Sequence, residues 1–75
     1  MPLSPQEIKD RMQEIGISES RSLLKNWISN SNDIERRRQA LDILGSIDEG
    51  KDYIFYEQLF LSDEDLEIRL IAGDI

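Results

Sequence analysis

Seventy-five residues are enough for one small domain, of a size that buries only about 60% of the surface its unfolded chain exposes. With no cysteine and no histidine, disulfides, thiolate and imidazole metal ligands and a histidine general base are all excluded. Sixteen acidic against nine basic residues give a net charge of −7, which repels nucleic-acid phosphates and anionic membranes and favours a basic or neutral protein partner.

The opening residues, MPLSPQEIKD, hold no basic segment followed by an apolar core. Nor does any apolar run approach about 18 residues, so neither a signal peptide nor a transmembrane helix is expected, and a cytoplasmic location is the default. Ser4 suits an N-cap, Pro5 the first helical position and Glu7 the reciprocal acid of a capping box. A first helix is therefore predicted from Pro5 to Ile15, stopped by Gly16, with Ile8, Met12 and Ile15 in one narrow apolar stripe. In a second helix, capped by Ser18, the residues Leu23, Leu24, Trp27 and Ile28 share a face.

Asn32 or Asp33 can cap a third helix reaching about Ile47, whose stripe is Ile34, Ala40, Leu41, Leu44 and Ile47. The stretch DEGKD at 48–52 reads as a turn. Tyr53 to Tyr56 is a β-prone run, yet a strand there has no partner elsewhere in the chain. Phe55, Tyr56, Leu59 and Phe60 instead repeat the spacing of the second helix, so a fourth helix is predicted, with these aromatic residues and Trp27 in the core. Ser62 is expected to cap a fifth helix, with Asp65 as its capping-box acid.

The chain repeats itself. A shift of 32 residues aligns Asp33 with Asp65, Glu35 with Glu67, Arg37 with Arg69, Ala40 with Ala72, Asp42 with Asp74 and Ile43 with Ile75. The same shift lays Leu23, Leu24, Trp27 and Ile28 on Phe55, Tyr56, Leu59 and Phe60, and pairs Ile8 with Ala40, Asp10 with Asp42 and Ile15 with Ile47. Two helices per period is the signature of a stacked helical-hairpin array.

The segment LSDEDLEIRLIAGDI resembles the HEAT and HEAT-like (PBS-lyase-type) helical repeats: Asp63 stands at the inter-helix turn, Ile68 and Arg69 follow, and Ala72 comes three residues later. The preceding unit keeps Arg37, Ala40, Leu44 and Gly45, but has Ser31 for the turn aspartate and Arg36 for the branched apolar residue. The resemblance spans Leu23 to Ile75. It implies an all-α, short α-solenoid (a superhelix of helical hairpins) with about five helices and repeats of about 32 residues. Residues 1–17 would be a capping helix, and 18–48 and 49–75 two repeat units of a single domain. The second unit stops short of the first, which suggests the N-terminal part of a longer array.

Arg37 and Arg69 both fall on the apolar stripe of their helices and need acceptors. Asp33, Asp63 and Asp65 are the candidates, and the resemblance implies a structural ladder formed by these five residues. The resemblance also implies that Glu35, Arg38, Asp42, Glu67 and Asp74 form a solvent-facing ridge on the partner-binding side, though a plain solvated face would use the same residues. ERRRQ at 35–39 does not make one basic patch, because three consecutive helical residues fan over about 200°. DEGKD and SDED lack calcium-loop spacing. No catalytic, metal-binding or cofactor-binding residues are expected. The function expected is a non-catalytic scaffold for protein–protein interaction. The alternatives are a small regulatory bundle that dimerises through Leu66, Leu70, Ile71 and Ile75 of the last helix, or part of a nucleic-acid-processing protein built on the same repeats.

Overall fold

The reciprocal cap expected at the first helix is present: the Ser4 hydroxyl accepts from the Glu7 N–H at 3.3 Å, and the Glu7 carboxylate accepts from the Ser4 N–H at 3.1 Å. That backbone donor, helped by the Ser4 hydroxyl, holds the Glu7 carboxyl below the usual carboxylate range. In the computed structural model, which describes residues 3–48 and 51–75, six helices follow in order. They are α1 (Pro5–Asp10), α2 (Met12–Ile15), α3 (Ile17–Asn30), α4 (Ile34–Asp48), α5 (Tyr53–Ser62) and α6 (Leu66–Asp74). Among the described residues there is no strand, and the aromatic run at Tyr53 is helical.

The helix expected from Pro5 to Ile15 is divided at Arg11, whose ψ is 13°, so there are six helices where five were expected. Helical hydrogen bonds still run from the Arg11 N–H to the Glu7 carbonyl and from the Ile15 N–H to the Arg11 carbonyl. Gly16 ends α2 at φ 95°, a conformation that costs little only without a Cβ. Because α3 begins directly after it, Ser18 lies inside the first turn and does not cap; no side chain caps α3.

Ile8, Leu24, Ile28, Leu41, Leu44 and Ile68 expose no surface, and Ala40, Ile43, Tyr56 and Ala72 complete the core. Each fully buried Leu or Ile contributes about 1.5–3 kcal/mol, so these few side chains supply most of the drive to fold. α4 is the hub: it packs on α1, α3 and α6, while α5 packs on α6. Leu23 and Trp27 are half-buried at its edge, and the Trp27 indole donates to the Leu3 carbonyl at 2.6 Å, tying the N-terminal segment to α3. Phe60 departs from the expected core, being 46% exposed. Its ring lies against Gly73, where an added Cβ would meet ring atoms at 2.9 and 3.0 Å. The radius of gyration is 11.4 Å, close to the roughly 11 Å of a compact chain this long.

The internal repeat extends to individual hydrogen bonds. α3 and α5 end 32 residues apart, at Asn30 and Ser62, and α4 and α6 begin 32 apart, at Ile34 and Leu66. In the first turn the Asp33 N–H donates to the Ser31 hydroxyl at 3.0 Å; in the second the Asp65 N–H donates to the Asp63 carboxylate at 2.9 Å. Asp33 then caps α4 through the Arg36 N–H at 3.3 Å, as Asp65 caps α6 through the Ile68 N–H at 3.2 Å. Ser31 thus performs the turn-closing role of the aspartate it replaces. Ser62, expected as the cap of the last helix, is instead the final residue of α5, its hydroxyl donating to the Gln58 carbonyl. Asp65 is the cap itself, with no need of a partner three residues earlier.

Candidate interaction surface

The two arginines of the predicted ladder reach the same backbone position in their hairpins. Arg37 Nε donates to the Ile28 carbonyl at 2.7 Å, and Arg69 Nε to the Phe60 carbonyl at 3.3 Å. Both carbonyls lie in the last turn of a helix, where intrahelical donors have run out. Beyond that the residues differ. Arg37, with a side chain 16% exposed, also holds Asp63, 8% exposed, through both of its terminal nitrogens. This fork joins α4 of one hairpin to the turn of the next. Arg69, placed on a buried stripe by spacing, is exposed, and has no carboxylate partner among the described residues. Asp33 and Asp65 are occupied as helix caps.

The predicted ridge lies on the outer sides of α4 and α6. Glu35, Asp42, Glu67 and Asp74 are exposed, and Arg38 is half-buried. Arg38 joins the two helices, pairing with Glu67 of α6 and standing 3.5 Å from Glu35 on its own helix. Glu35, Arg38 and Asp42 line an open hollow of about 390 Å³ together with Arg36 and Gln39. Asp42 and Asp74 form no ion pair among the described residues. The ridge is therefore mixed in charge near the helix N-termini and purely acidic towards their C-termini.

A buried polar cluster went unpredicted. Asp48, read as part of a turn, is the last residue of α4 and is 3% exposed. Its Oδ2 accepts from the Tyr56 hydroxyl at 2.9 Å and from the Asp52 N–H at 3.0 Å, and its Oδ1 lies 3.1 Å from Arg21 Nη2. One helical turn along α3, Lys25 pairs with Asp52 and lies 5.2 Å from the centre of the Phe55 ring. Burial, then the hydrogen bond to Asp48, raises the Tyr56 phenol well above its ordinary value; the Lys25 ammonium holds Asp52 below its own. Together these residues clamp α3 to the start of α5. A signal was present, since Asp48 continues the stripe of Leu41 and Leu44 at spacings of three and four. Ser20 is the other buried polar residue, its Oγ without a partner among the described residues. Glu49 and Gly50 of the predicted turn lie outside the described residues.

The apolar surface is concentrated at one end. Of the eight large hydrophobic residues exposed among the described ones, seven belong to or adjoin α5 and α6: Tyr53, Ile54, Phe60, Leu61, Leu66, Leu70 and Ile75. The last helix is only partly covered: Ile68 is buried and Ile71 half-buried, while Leu66 and Leu70 face solvent. An open groove of about 270 Å³ lies between the helices, with Tyr53, Phe60, Gly73 and Ile75 among its walls.

No helix among the described residues is long and apolar enough to cross a membrane. Compared with known proteins, the chain matches no family model, no curated protein and no solved structure.

Proposed function

We propose that this chain is a non-catalytic scaffold for protein–protein interaction, a short HEAT-like α-solenoid in which residues 18–48 and 49–75 are stacked repeat units and 1–17 a cap. The observation that carries this reading is the gathering of exposed apolar side chains on α5 and α6, because scattered hydrophobic residues are normal on a monomer whereas a contiguous patch marks a contact surface. The matching hydrogen bonds of Arg37 and Arg69, each to the same carbonyl of its own hairpin, support the repeat. The ridge of Glu35, Arg38, Asp42, Glu67 and Asp74 borders this surface and supplies negative charge for a basic partner. Asp48 and Tyr56 are buried and hydrogen-bonded to each other at 2.9 Å, which suits a structural clamp better than chemistry on a substrate.

The test is differential capture from a cytoplasmic extract by the chain, by the triple variant Ile54→Ser, Leu61→Ser, Leu70→Ser, and by Asp42→Lys. A protein retained by the first and lost by either variant supports the scaffold; identical captures refute it. A second reading has its own observation, the exposure of Leu66, Leu70 and Ile75: a small regulatory protein that dimerises through its last helix, with Ile71 completing the contact. Light scattering over a concentration series decides between them, and a discrete dimer at every concentration puts the second reading first.

A further inference from the structure

Equivalent positions of the two hairpins are not equally covered. A shift of 32 carries Ile28 to Phe60, Ile34 to Leu66 and Leu41 to Gly73. Ile28 and Leu41 expose nothing, whereas Phe60 is 46% and Leu66 62% exposed. The cause is the packing order: α4 has α1 on one side and α6 on the other, while α6 has only α4 and α5. A face that is closed by helices in the first hairpin stands open in the second, with the row spacing that accepts another helix.

At about 100° per residue, Tyr53 and Phe60 share one row of α5 and Ile54 and Leu61 another, with Glu57 between the rows. Leu66, Leu70 and Gly73 share a row of α6, with Asp74 beyond it. Phe60 rests on Gly73, so the two sets of rows are continuous across the groove. The surrounding charge has one sign. Glu57, Glu64 and Asp74 make no ion pair among the described residues, and Arg69, the only cation on either helix, is turned to the Phe60 carbonyl.

We propose that the open α5–α6 face docks a basic amphipathic helix of a partner protein. Its apolar stripe would lie along Phe60 and Leu70, and its lysines or arginines over Glu57 on one flank and Asp74 on the other. This rests on the scaffold reading and names the chemistry of its partner. A second copy of the chain is a poor occupant, because symmetric pairing of the face sets carboxylates against carboxylates.

The probes are two synthetic helical peptides with the same leucine stripe at i, i+3, i+4 and i+7, one with lysine and one with glutamate on the polar face. Binding is read by fluorescence anisotropy of the labelled peptide at low and high salt. The lysine peptide is expected to bind, more weakly as salt rises, and at least about tenfold more tightly than the glutamate peptide. Tyr53→Ser with Leu70→Ser, and separately Glu57→Lys with Asp74→Lys, should each weaken it about tenfold or more. All four positions are exposed, so circular dichroism should show the helix content unchanged. Glu35→Lys with Asp42→Lys, on the ridge, should change it less than about threefold.

Equal binding of both peptides overturns the charge rule while leaving an apolar docking face. Loss of binding on the ridge variant alone overturns the site while leaving the scaffold reading intact. Absence of binding by either peptide overturns the docking of a basic helix, and capture by the ridge then tests the scaffold separately. A concentration-dependent dimer abolished by Leu70→Lys replaces the partner helix with a second copy.

Discussion

Replacing Asp48 with alanine removes the acceptor that joins α4 to the Tyr56 hydroxyl of α5 and to the Asp52 N–H just before it. The carboxylate is 3% exposed and takes two hydrogen bonds, at 2.9 Å from the Tyr56 hydroxyl and 3.0 Å from the Asp52 N–H. A buried donor left without its acceptor costs about 1–3 kcal/mol, and hydrogen bonds to an ionised group lie at the upper end. The Arg21 side chain is 39% exposed, so water replaces its lost partner and adds less than about 1 kcal/mol. Tyr56 is 4% exposed, so its hydroxyl has little access to such relief. The sum is a loss of about 2–4 kcal/mol. Set against a total stability of about 4–11 kcal/mol for a chain of this length, that is a large fraction.

The assay is equilibrium urea unfolding followed by the helical circular-dichroism signal. Asp48→Ala should lower the midpoint with little change in slope, because the surface exposed on unfolding stays nearly the same. Asp48→Asn, which keeps one acceptor oxygen and the side-chain volume, should lose roughly half as much. In a double-mutant cycle with Tyr56→Phe the two changes should couple by about 1 kcal/mol or more, since they share one hydrogen bond. Asp48→Ala within about 0.5 kcal/mol of the parent would be the behaviour of a solvated surface residue and would refute the clamp.

In a Tyr53→Phe background Tyr56 is the sole tyrosine, so tyrosinate absorbance reports it alone. Its folded pKa is raised above the unfolded value. The stability it contributes is therefore fully present below about pH 10, then falls by up to about 1.4 kcal/mol per pH unit above it, and tyrosinate should appear together with unfolding. Asp52 has the opposite sign. Its folded pKa is depressed by Lys25, so its contribution is present above the usual carboxylate pKa and is lost as pH falls through the lower folded value. Lys25→Met should flatten that acid limb of the urea midpoint. Arg37→Ala should cost about 2–4 kcal/mol in the same unfolding assay, because it strands Asp63 in a nearly buried turn. Arg69→Ala, at an exposed side chain with one long hydrogen bond, should cost about 0.5 kcal/mol. Equal losses at the two arginines would refute the asymmetry between the hairpins.

Much of the fold was legible because it is written in local chemistry. The capping box at Ser4, the glycine stop at Gly16 and the apolar spacing of Leu24, Ile28, Leu41 and Leu44 each act within one or two turns of chain. Helicity of the Tyr53 run could be read in the same way, from spacing against β-propensity. What stayed hidden depends on contacts distant in sequence. Asp48 ends the stripe of α4, and only the return of α5 supplies the tyrosine that makes a carboxylate tolerable there. Ser18 and Ser62 carry the right side chain for a cap, but Gly16 already turned the chain before Ser18, and Asp63 with Asp65 closed the turn after Ser62.

Phe60 shows why a repeat in sequence does not carry over to burial. It stands where Ile28 stands, offers its carbonyl to the corresponding arginine as Ile28 does, and by spacing belongs in the core. Yet Ile28 exposes nothing and Phe60 is 46% exposed. Backbone hydrogen bonds at a turn are satisfied within one hairpin, so they repeat with the sequence; burial needs a neighbour, so it repeats only where a neighbour is present. The first hairpin has α1, with Pro5 and Ile8 buried against it, and a second hairpin on the other side. The second hairpin has the first alone. Phe60, where the two units agree in hydrogen bonding and disagree in burial, therefore marks the face that the proposed partner helix would cover.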